Sequence, residues 1–255
     1  MFGGDLFHGA SMNDWFESIS ATRALSAAAA QELQHRGFTV ALDAISPARV
    51  EQLGHAYDAA FSSATAAELK FGSTTTRLGD FVNRGAAIDG VYVFPPLLDA
   101  CCRIIGRPFK LSSLHARTLR PHSLNGKLHI DVQHDSADWP LVGFILMVDD
   151  FRPENGATRF VPGSHRWLHA PDAHAGEPRG NHAEQVQACG PAGSLIIFNG
   201  STWHDHAANT SNLPRRSLQG AFIPRDGKAA EDFAARLHAE TRARISPLAQ
   251  YVLAI

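Results

Sequence analysis

Two absences in this 255-residue sequence exclude whole classes of protein. Cysteine is scarce: the chain has only Cys101, Cys102 and Cys189, and it contains no Cys-x-x-Cys pair. Adjacent cysteines rarely reach disulfide geometry, so we expect neither a disulfide framework nor a cysteine-rich zinc finger. Long apolar runs are also missing, because the longest one, Leu141–Val148, is far too short to cross a bilayer.

An excess of charge is absent as well. The chain has 23 Lys and Arg against 25 Asp and Glu, for a formal net charge of -2, and no basic run stands out. Since nucleic acids and anionic membranes bind basic surfaces, we expect neither as a partner. The first ten residues lack the basic start and apolar run of a signal peptide. The sequence therefore predicts a cytoplasmic protein and does not indicate its oligomeric state.

Histidine, in contrast, is abundant, with 14 residues in the chain. Its imidazole is the commonest metal ligand in proteins and the usual acid or base near neutral pH. The surplus suggests a metal site or a catalytic site without locating it. Hydrophobic residues make up 44% of the chain, which is enough for a substantial core.

Helices are predicted mainly before Pro108, and strands mainly after it. The predicted helices are Thr22–His35, which ends at Gly37, Ser46 to about Phe61, about Pro96–Ile105, and a last one over Ala229–Arg244. A short strand, Phe38–Leu42, follows the first of these helices. The later strand-like runs are Lys110–Leu119, Lys127–Gln133, Leu141–Val148, Thr158–Val161, Ser194–Phe198, Ser201–His206 and Arg215–Ile223.

Short strands at this spacing, without helices between them, favour an antiparallel sandwich or barrel. We expect one domain over 1–255, with a helical part at about 20–107, a β core at about 108–224 and a helix at about 229–244. Two segments with weak patterns, Ser62–Gly90 and Trp167–Gln187, are candidates for substrate contacts. The first of them is also a candidate for a mobile segment.

The first candidate site is His129-Ile130-Asp131. Residues two apart on a strand point to the same face, so the predicted strand would bring this imidazole and carboxylate together. They are two of the three ligands of a facial triad for Fe(II). Composition alone makes about one such tripeptide expected by chance, so a polar strand face explains it equally well.

The second candidate site is His204-Asp205-His206. Both histidines would share one face of a strand, and either could be the third ligand. The pair could equally be structural or bind zinc.

The next predicted strand carries Arg215, Ser217 and Gln219 on one face. If it forms a hairpin with the histidine strand, the arginine lies beside the histidines. A guanidinium binds a carboxylate through two hydrogen bonds, and a serine hydroxyl adds another, which suits a small dicarboxylate such as 2-oxoglutarate.

In this order the residues resemble the phytanoyl-CoA dioxygenase family of Fe(II)/2-oxoglutarate oxygenases. The matching segments are His129-x-Asp131, Glu154-Asn155-Gly156, Val161-Pro162-Gly163-Ser164-His165, Trp203-His204, Asn209-Thr210-Ser211 and Pro214-Arg215-Arg216. The resemblance extends from about Gln31 to Ile223. It implies a mainly β fold with flanking helices around a double-stranded β-helix, the jelly-roll core also found in cupins.

The resemblance also implies the roles of the candidate residues. His129, Asp131 and His204 would bind Fe(II), Arg215 would hold the far carboxylate of 2-oxoglutarate, and Ser217 and His206 would make further cosubstrate contacts. With O2, such an enzyme oxidises a C–H bond of a small metabolite and converts 2-oxoglutarate to succinate and CO2. Asp131 occupies the position that is small in related halogenases, so hydroxylation or a similar oxidation is favoured. His165 is interpreted as a structural hydrogen-bonding residue.

Two alternatives remain open at this stage. One is a cupin-like hydrolase or isomerase that uses zinc or manganese held by His129, His204 and His206. The other is a non-catalytic barrel that binds a metal or a ligand. The Arg215 and Ser217 pair favours the oxygenase, because a hydrolase would not require it.

Overall fold

The computed structural model describes residues 11–169, 171 and 181–255 of the chain. Its helices are α1 (Met12–Ala21), α2 (Ala27–Arg36), α3 (Pro47–Ser63), α4 (Pro95–Ile105), α5 (Phe233–Arg236), α6 (Ala239–Arg244) and α7 (Pro247–Leu253). Its strands are β1 (Phe38–Ala41), β2 (Leu69–Phe71), β3 (Thr75–Leu78), β4 (Phe109–Leu119), β5 (Val142–Met147), β6 (Thr158–Phe160), β7 (Val186–Ala188), β8 (Leu195–Asn199), β9 (His204–His206) and β10 (Arg215–Pro224).

The strands form two antiparallel sheets. The larger sheet has the order β1-β8-β5-β10-β4-β3-β2, and the smaller one has the order β7-β6-β9. Side chains of both sheets pack into a shared apolar cluster that includes Ile145 and Phe198 from the larger sheet and Phe160 from the smaller. The predicted fold class, mainly β with flanking helices and a jelly-roll core, is confirmed.

A second apolar cluster covers the opposite face of the larger sheet, where the helices pack. Phe144 and Leu146 of β5 belong to this cluster, together with Leu97 and Leu98 of α4. Successive residues of β5 therefore face different clusters, and the whole strand is buried. This explains why Leu141–Val148 is a continuous apolar run rather than an alternating one.

The N-terminal helices begin and end at the residues that local chemistry favours. Ser26 accepts a hydrogen bond from the backbone N–H of Ala29 and begins α2, five residues later than predicted. Gly37 ends it with a φ of +84°, a conformation that favours glycine. A Cβ at this position would lie 2.5 Å from both the His165 ring and the Thr202 hydroxyl, so the close packing also requires glycine.

The structure corrects three local predictions. Lys127–Gln133 is not a strand: it is an irregular segment with one isolated β-bridge, at His129. The helix predicted over Ala229–Arg244 is instead the two short helices α5 and α6. Ser62–Gly90 contains the hairpin β2–β3, which extends the larger sheet beyond β4. Within the described residues, no helix combines the length and the apolar character needed to cross a membrane.

Candidate active site

His129, Asp131 and His204 converge, although the strand predicted around the first two does not form. One ligand atom of each residue lies within 4.8 Å of those of the other two, a spacing that a single metal ion can bridge. The Oδ1 atom of Asp131 is 3.8 Å from Nε2 of His129 and 3.8 Å from Nε2 of His204. The backbone bridge between His129 and His204, not a shared strand face, produces this arrangement.

Both histidines of this group are oriented by backbone carbonyls. Nδ1 of His129 lies 2.8 Å from the Lys127 carbonyl oxygen, and Nδ1 of His204 lies 2.9 Å from that of Thr202. A carbonyl oxygen can only accept, so each Nδ1 carries the proton and each Nε2 keeps its lone pair. Hydrogen bonds of this kind hold metal-ligating imidazoles in the required tautomer and orientation.

Burial further favours the ligand form of His204. Desolvation lowers the pKa of this imidazole to about 4, because burial penalises its charged form. The Asp131 carboxylate opposes the shift without cancelling it. At neutral pH the ring is therefore uncharged and able to donate electrons to a cation. Two imidazole nitrogens and one carboxylate are the donor set that suits Fe(II) with open coordination positions.

His206 lies beside this group but does not belong to it. Its Nε2 is 3.0 Å from the hydroxyl of Thr74, and its Nδ1 is 2.9 Å from the Ala207 carbonyl oxygen. Burial lowers its pKa to about 4, so it too is neutral at pH 7. Among the described residues, the group that could hold a metal includes His204 and not His206.

Arg215 reaches the same cavity from the other sheet. The predicted hairpin of the histidine and arginine strands is wrong: β9 pairs with β6, whereas β10 lies between β5 and β4. The two strands lie in different sheets, and His204, His206 and Arg215 all line the cavity between them. The arginine and the histidines therefore come together across the sandwich instead of along a hairpin.

The guanidinium of Arg215 is buried and poorly partnered. Its side chain is 2% exposed, and neither Nε nor Nη1 has a hydrogen-bond partner. The group lies over the Phe151 ring, 3.8 Å from the ring centre. Burial and the nearby charge of Arg117 lower its pKa to about 9, which still leaves it charged at neutral pH. A buried cation with free donors is a site for a carboxylate.

Ser217 follows Arg215 along β10 and is also buried. Its hydroxyl donates to the Arg117 carbonyl oxygen at 3.1 Å and accepts from Nε2 of Gln219 at 3.3 Å. It is not among the residues that line the cavity. His165 is likewise outside the cavity lining: its Nε2 lies 3.2 Å from the Gln34 carbonyl oxygen, as expected of a structural residue.

The cavity that contains these residues has a volume of about 860 Å³. The sequence predicts one contributor correctly, because Thr74, Thr75 and Arg77 of the Ser62–Gly90 segment line the cavity. Of the other predicted segment, Trp167–Gln187, residues 170 and 172–180 lie outside the described residues, and no described residue of it lines the cavity.

Two lining residues, His115 and Arg117, were not predicted from the sequence as a binding group. A signal for both was present. Polar residues at 113, 115 and 117 alternate with Leu114 and Ala116 along the predicted strand, which indicates a polar face. What that face points at depends on the packing of the two sheets.

Comparisons with known proteins agree with this architecture. The family model for phytanoyl-CoA dioxygenase (PhyH) matches residues 33–217. A fungal relative, dioxygenase cdmA of Talaromyces verruculosus, is 40% identical over 78 residues, which is 31% of this chain and 25% of that protein. The chain spans about a quarter of the length of the first curated relatives that it matches.

Solved structures show the same fold at low sequence identity. HygX from Streptomyces hygroscopicus, solved with nickel and 2-oxoglutarate bound, has a TM-score of 0.68 and 16% identity, covering 88% of this chain and 96% of its own. SnoK, a non-heme alpha ketoglutarate dependent carbocyclase from nogalamycin biosynthesis, has a TM-score of 0.66 and 18% identity, covering 84% and 92%.

Proposed function

Because this chain belongs to the phytanoyl-CoA dioxygenase family, we propose that it is a non-heme dioxygenase dependent on Fe(II) and 2-oxoglutarate. It oxidises a C–H bond of a small molecule, with O2 as the oxidant. One observation carries the proposal: a group of two histidines and one carboxylate shares a cavity with a buried arginine whose donors are free.

His129, Asp131 and His204 would hold the iron. Their two nitrogens and one oxygen match the facial triad of non-heme Fe(II) oxygenases, and three ligands leave positions for cosubstrate and O2. Bound there, iron and 2-oxoglutarate supply the oxidising chemistry, in which 2-oxoglutarate is converted to succinate and CO2. Asp131 supplies a carboxylate where a halogenase would need an open position, which favours hydroxylation or a similar oxidation.

Arg215 would bind the far carboxylate of 2-oxoglutarate. Its Nε and Nη1 atoms have no hydrogen-bond partner, so the guanidinium keeps donors for a carboxylate, and the surrounding low-polarity environment strengthens the ion pair. His206 and Thr74, which line the same cavity, would contribute further polar contacts to the cosubstrate. Ser217 does not line the cavity. It would affect the cosubstrate only indirectly, through the hydrogen bond from its hydroxyl to the Arg117 carbonyl oxygen on the neighbouring strand β4.

The rest of the chain orients the side chains that would hold the metal and encloses the cavity. Backbone carbonyls hold the two ligand imidazoles in one tautomer, so metal binding requires little rearrangement. The cavity volume of about 860 Å³ suits a small molecule together with 2-oxoglutarate. We further propose that the enzyme is cytoplasmic. We also propose that it binds neither nucleic acid nor a membrane, because the near balance of charges does not favour the basic surface that either partner requires.

Succinate release under O2 tests this proposal. The wild-type protein with Fe(II) and 2-oxoglutarate should release succinate, slowly without substrate and faster when a substrate is added. Protein with Zn(II) in place of Fe(II) serves as the matched control and should release none. Equal or absent succinate release in both samples would remove the support for an oxygenase and favour the zinc or manganese hydrolase.

A further inference from the structure

A row of cations crosses three adjacent strands, and two of its members, Arg77 and Arg117, line the cavity. Lys70 of β2 lies directly opposite Arg77 of β3, and Arg77 lies directly opposite Arg117 of β4. Like charges in this position repel and destabilise a sheet. We refer to Lys70, Arg77 and Arg117 as the cationic row. An anion bound beside these side chains would compensate for the repulsion.

The two arginines of the cationic row that line the cavity have no acidic partner of their own. Neither Arg77 nor Arg117 takes part in any of the ion pairs that the described residues form. Nη1 of Arg117 donates to the neutral Gln219 side chain at 3.2 Å, and its buried Nε has no partner. Arg117 is therefore a cation with a free donor.

The other acidic residues that line the cavity are already engaged. Asp205 forms an ion pair with Arg159, in which Nε of the arginine lies 2.8 Å from Oδ1 of the aspartate. Asp138 accepts a hydrogen bond from the backbone N–H of Lys228 at 3.1 Å. Asp131 belongs to the metal group. None of these carboxylates forms an ion pair with the cationic row.

Charge balance then distinguishes the cationic row from the cosubstrate site. Two positive charges of Fe(II), one of Arg215 and one negative charge of Asp131 together match the two carboxylates of 2-oxoglutarate. Among the remaining cations that line the cavity, Arg77 and Arg117 are paired directly opposite each other on neighbouring strands. Because the Nε atom of Arg117 is buried without a partner and Arg77 lies directly opposite this residue, an anion bound beside both arginines would satisfy that donor.

Building on the proposed function, we infer that the substrate is a small organic acid whose carboxylate is held by Arg77 and Arg117. Both arginines line the same cavity as the metal group, so an acid bound there presents its carbon skeleton within that cavity. His115 lies on the same strand as Arg117, and its buried Nε2 has no partner. Desolvation lowers its pKa to about 3, so the neutral ring offers the substrate a hydrogen bond without adding charge.

Acids and their neutral amides provide the test. The anaerobic protein with Fe(II) and saturating 2-oxoglutarate is titrated by calorimetry with hexanoate, benzoate and 3-phenylpropionate, and separately with the three corresponding primary amides. We expect at least one acid to bind about tenfold tighter than its amide, the gain typical of a charge-assisted hydrogen bond. In Arg77→Gln and in Arg117→Gln this preference should fall to about twofold or less.

A matched control and a second readout separate this role from a structural one. Arg107→Gln removes the same charge from an exposed position outside the cavity and should keep the full preference. Arg77→Gln should also raise the melting temperature of the ligand-free protein, because it relieves the repulsion within the cationic row. An acid preference that is absent from the wild type, or that survives in both variants, would overturn the inference.

The affinity for 2-oxoglutarate is measured in the same variants. It should change less than threefold in Arg77→Gln and Arg117→Gln; a loss of about tenfold or more in Arg117→Gln would assign that residue to the cosubstrate and overturn its role here. Failure of the proposed function can be distinguished from failure of this inference. If the proposed function is wrong, the wild type binds no 2-oxoglutarate, but its preference for acids over amides can still be measured on the metal-free protein.

Discussion

His129 and His204 exchange two backbone hydrogen bonds across an isolated β-bridge. The N–H of His129 donates to the His204 carbonyl oxygen at 3.0 Å, and the N–H of His204 donates to that of His129 at 2.9 Å. The two imidazoles that would bind the metal are thus joined through the main chain, although 75 positions separate them in sequence. Their ring centres lie 4.3 Å apart.

This bridge predicts that the metal site is assembled before the metal binds. In the metal-free protein, the amide protons of His129 and His204 should exchange with solvent much more slowly than that of exposed Asp135. Hydrogen exchange followed by mass spectrometry or NMR measures this difference. Protection that arises only after Fe(II) is added would mean that the ion, and not the backbone, creates the arrangement.

Loss of Asp131 should abolish turnover. Asp131→Ala removes the carboxylate ligand of the metal group, and we expect succinate release to fall by at least about 100-fold with iron affinity reduced. Asp135→Ala is the matched control, since Asp135 is an exposed aspartate four residues further along the same segment. Normal turnover in Asp131→Ala, measured by succinate production, would exclude this residue as a ligand.

Replacing Arg215 by methionine and replacing its neighbour Arg216 by methionine should change the free energy of unfolding in opposite directions. Arg215→Met replaces a buried cation lacking a carboxylate partner, so the ligand-free protein should gain about 1–3 kcal/mol in free energy of unfolding. Arg216 instead pairs with Asp149 and Asp58, and Arg216→Met should lower that free energy by about 1–2 kcal/mol.

The same pair separates stability from cosubstrate binding. Arg215→Met should weaken 2-oxoglutarate binding by at least about tenfold while iron affinity changes little, because it loses a charge-assisted contact. Arg216→Met should bind 2-oxoglutarate as the wild type does. Urea denaturation and titration of 2-oxoglutarate measure the two effects, and a destabilised Arg215→Met with unchanged affinity would contradict the assigned role.

Buried histidines should make the metal-free protein sensitive to mild acid. Burial lowers the pKa of His204 and of His206 to about 4, and that of His115 to about 3, whereas an unfolded histidine titrates near about 6.5. Between these values the unfolded chain binds more protons, so the stabilisation is complete above about pH 6.5 and is lost as the pH falls towards 4. Each histidine contributes a slope of up to about 1.4 kcal/mol per pH unit.

Urea denaturation at pH 7 and pH 5 tests this dependence. The free energy of unfolding should fall by several kcal/mol over this interval, and His206→Gln should reduce the fall by about 2 kcal/mol. A free energy that is the same at both pH values would show that these imidazoles are not buried in neutral form.

Local patterns were sufficient for much of the fold. The helix that ends at Gly37 and the apolar run that forms β5 follow from turn chemistry and hydrophobicity, which act over a few residues. The pairing of β10 with β4 and β5, instead of with β9, depends on contacts between distant segments. No pattern within a single strand encodes that choice.

The candidate site could likewise be predicted only in part from the sequence. The order of His129, Asp131, His204 and Arg215 along the chain carried the resemblance to the family, but the predicted route to their proximity was wrong. An irregular segment, bridged to β9, holds the first two residues, and Arg215 enters from the opposite sheet. The cationic row was not predictable, because it requires the register of β2, β3 and β4.

The most direct test of the central claim is an optical titration without oxygen. Fe(II) and 2-oxoglutarate are added to the metal-free protein under anaerobic conditions, and the visible spectrum is recorded. A weak charge-transfer band that saturates at one equivalent of each, and that is lost in Asp131→Ala, is the predicted result. A spectrum that stays featureless in the wild type, although calorimetry shows that the metal is bound, would contradict the account.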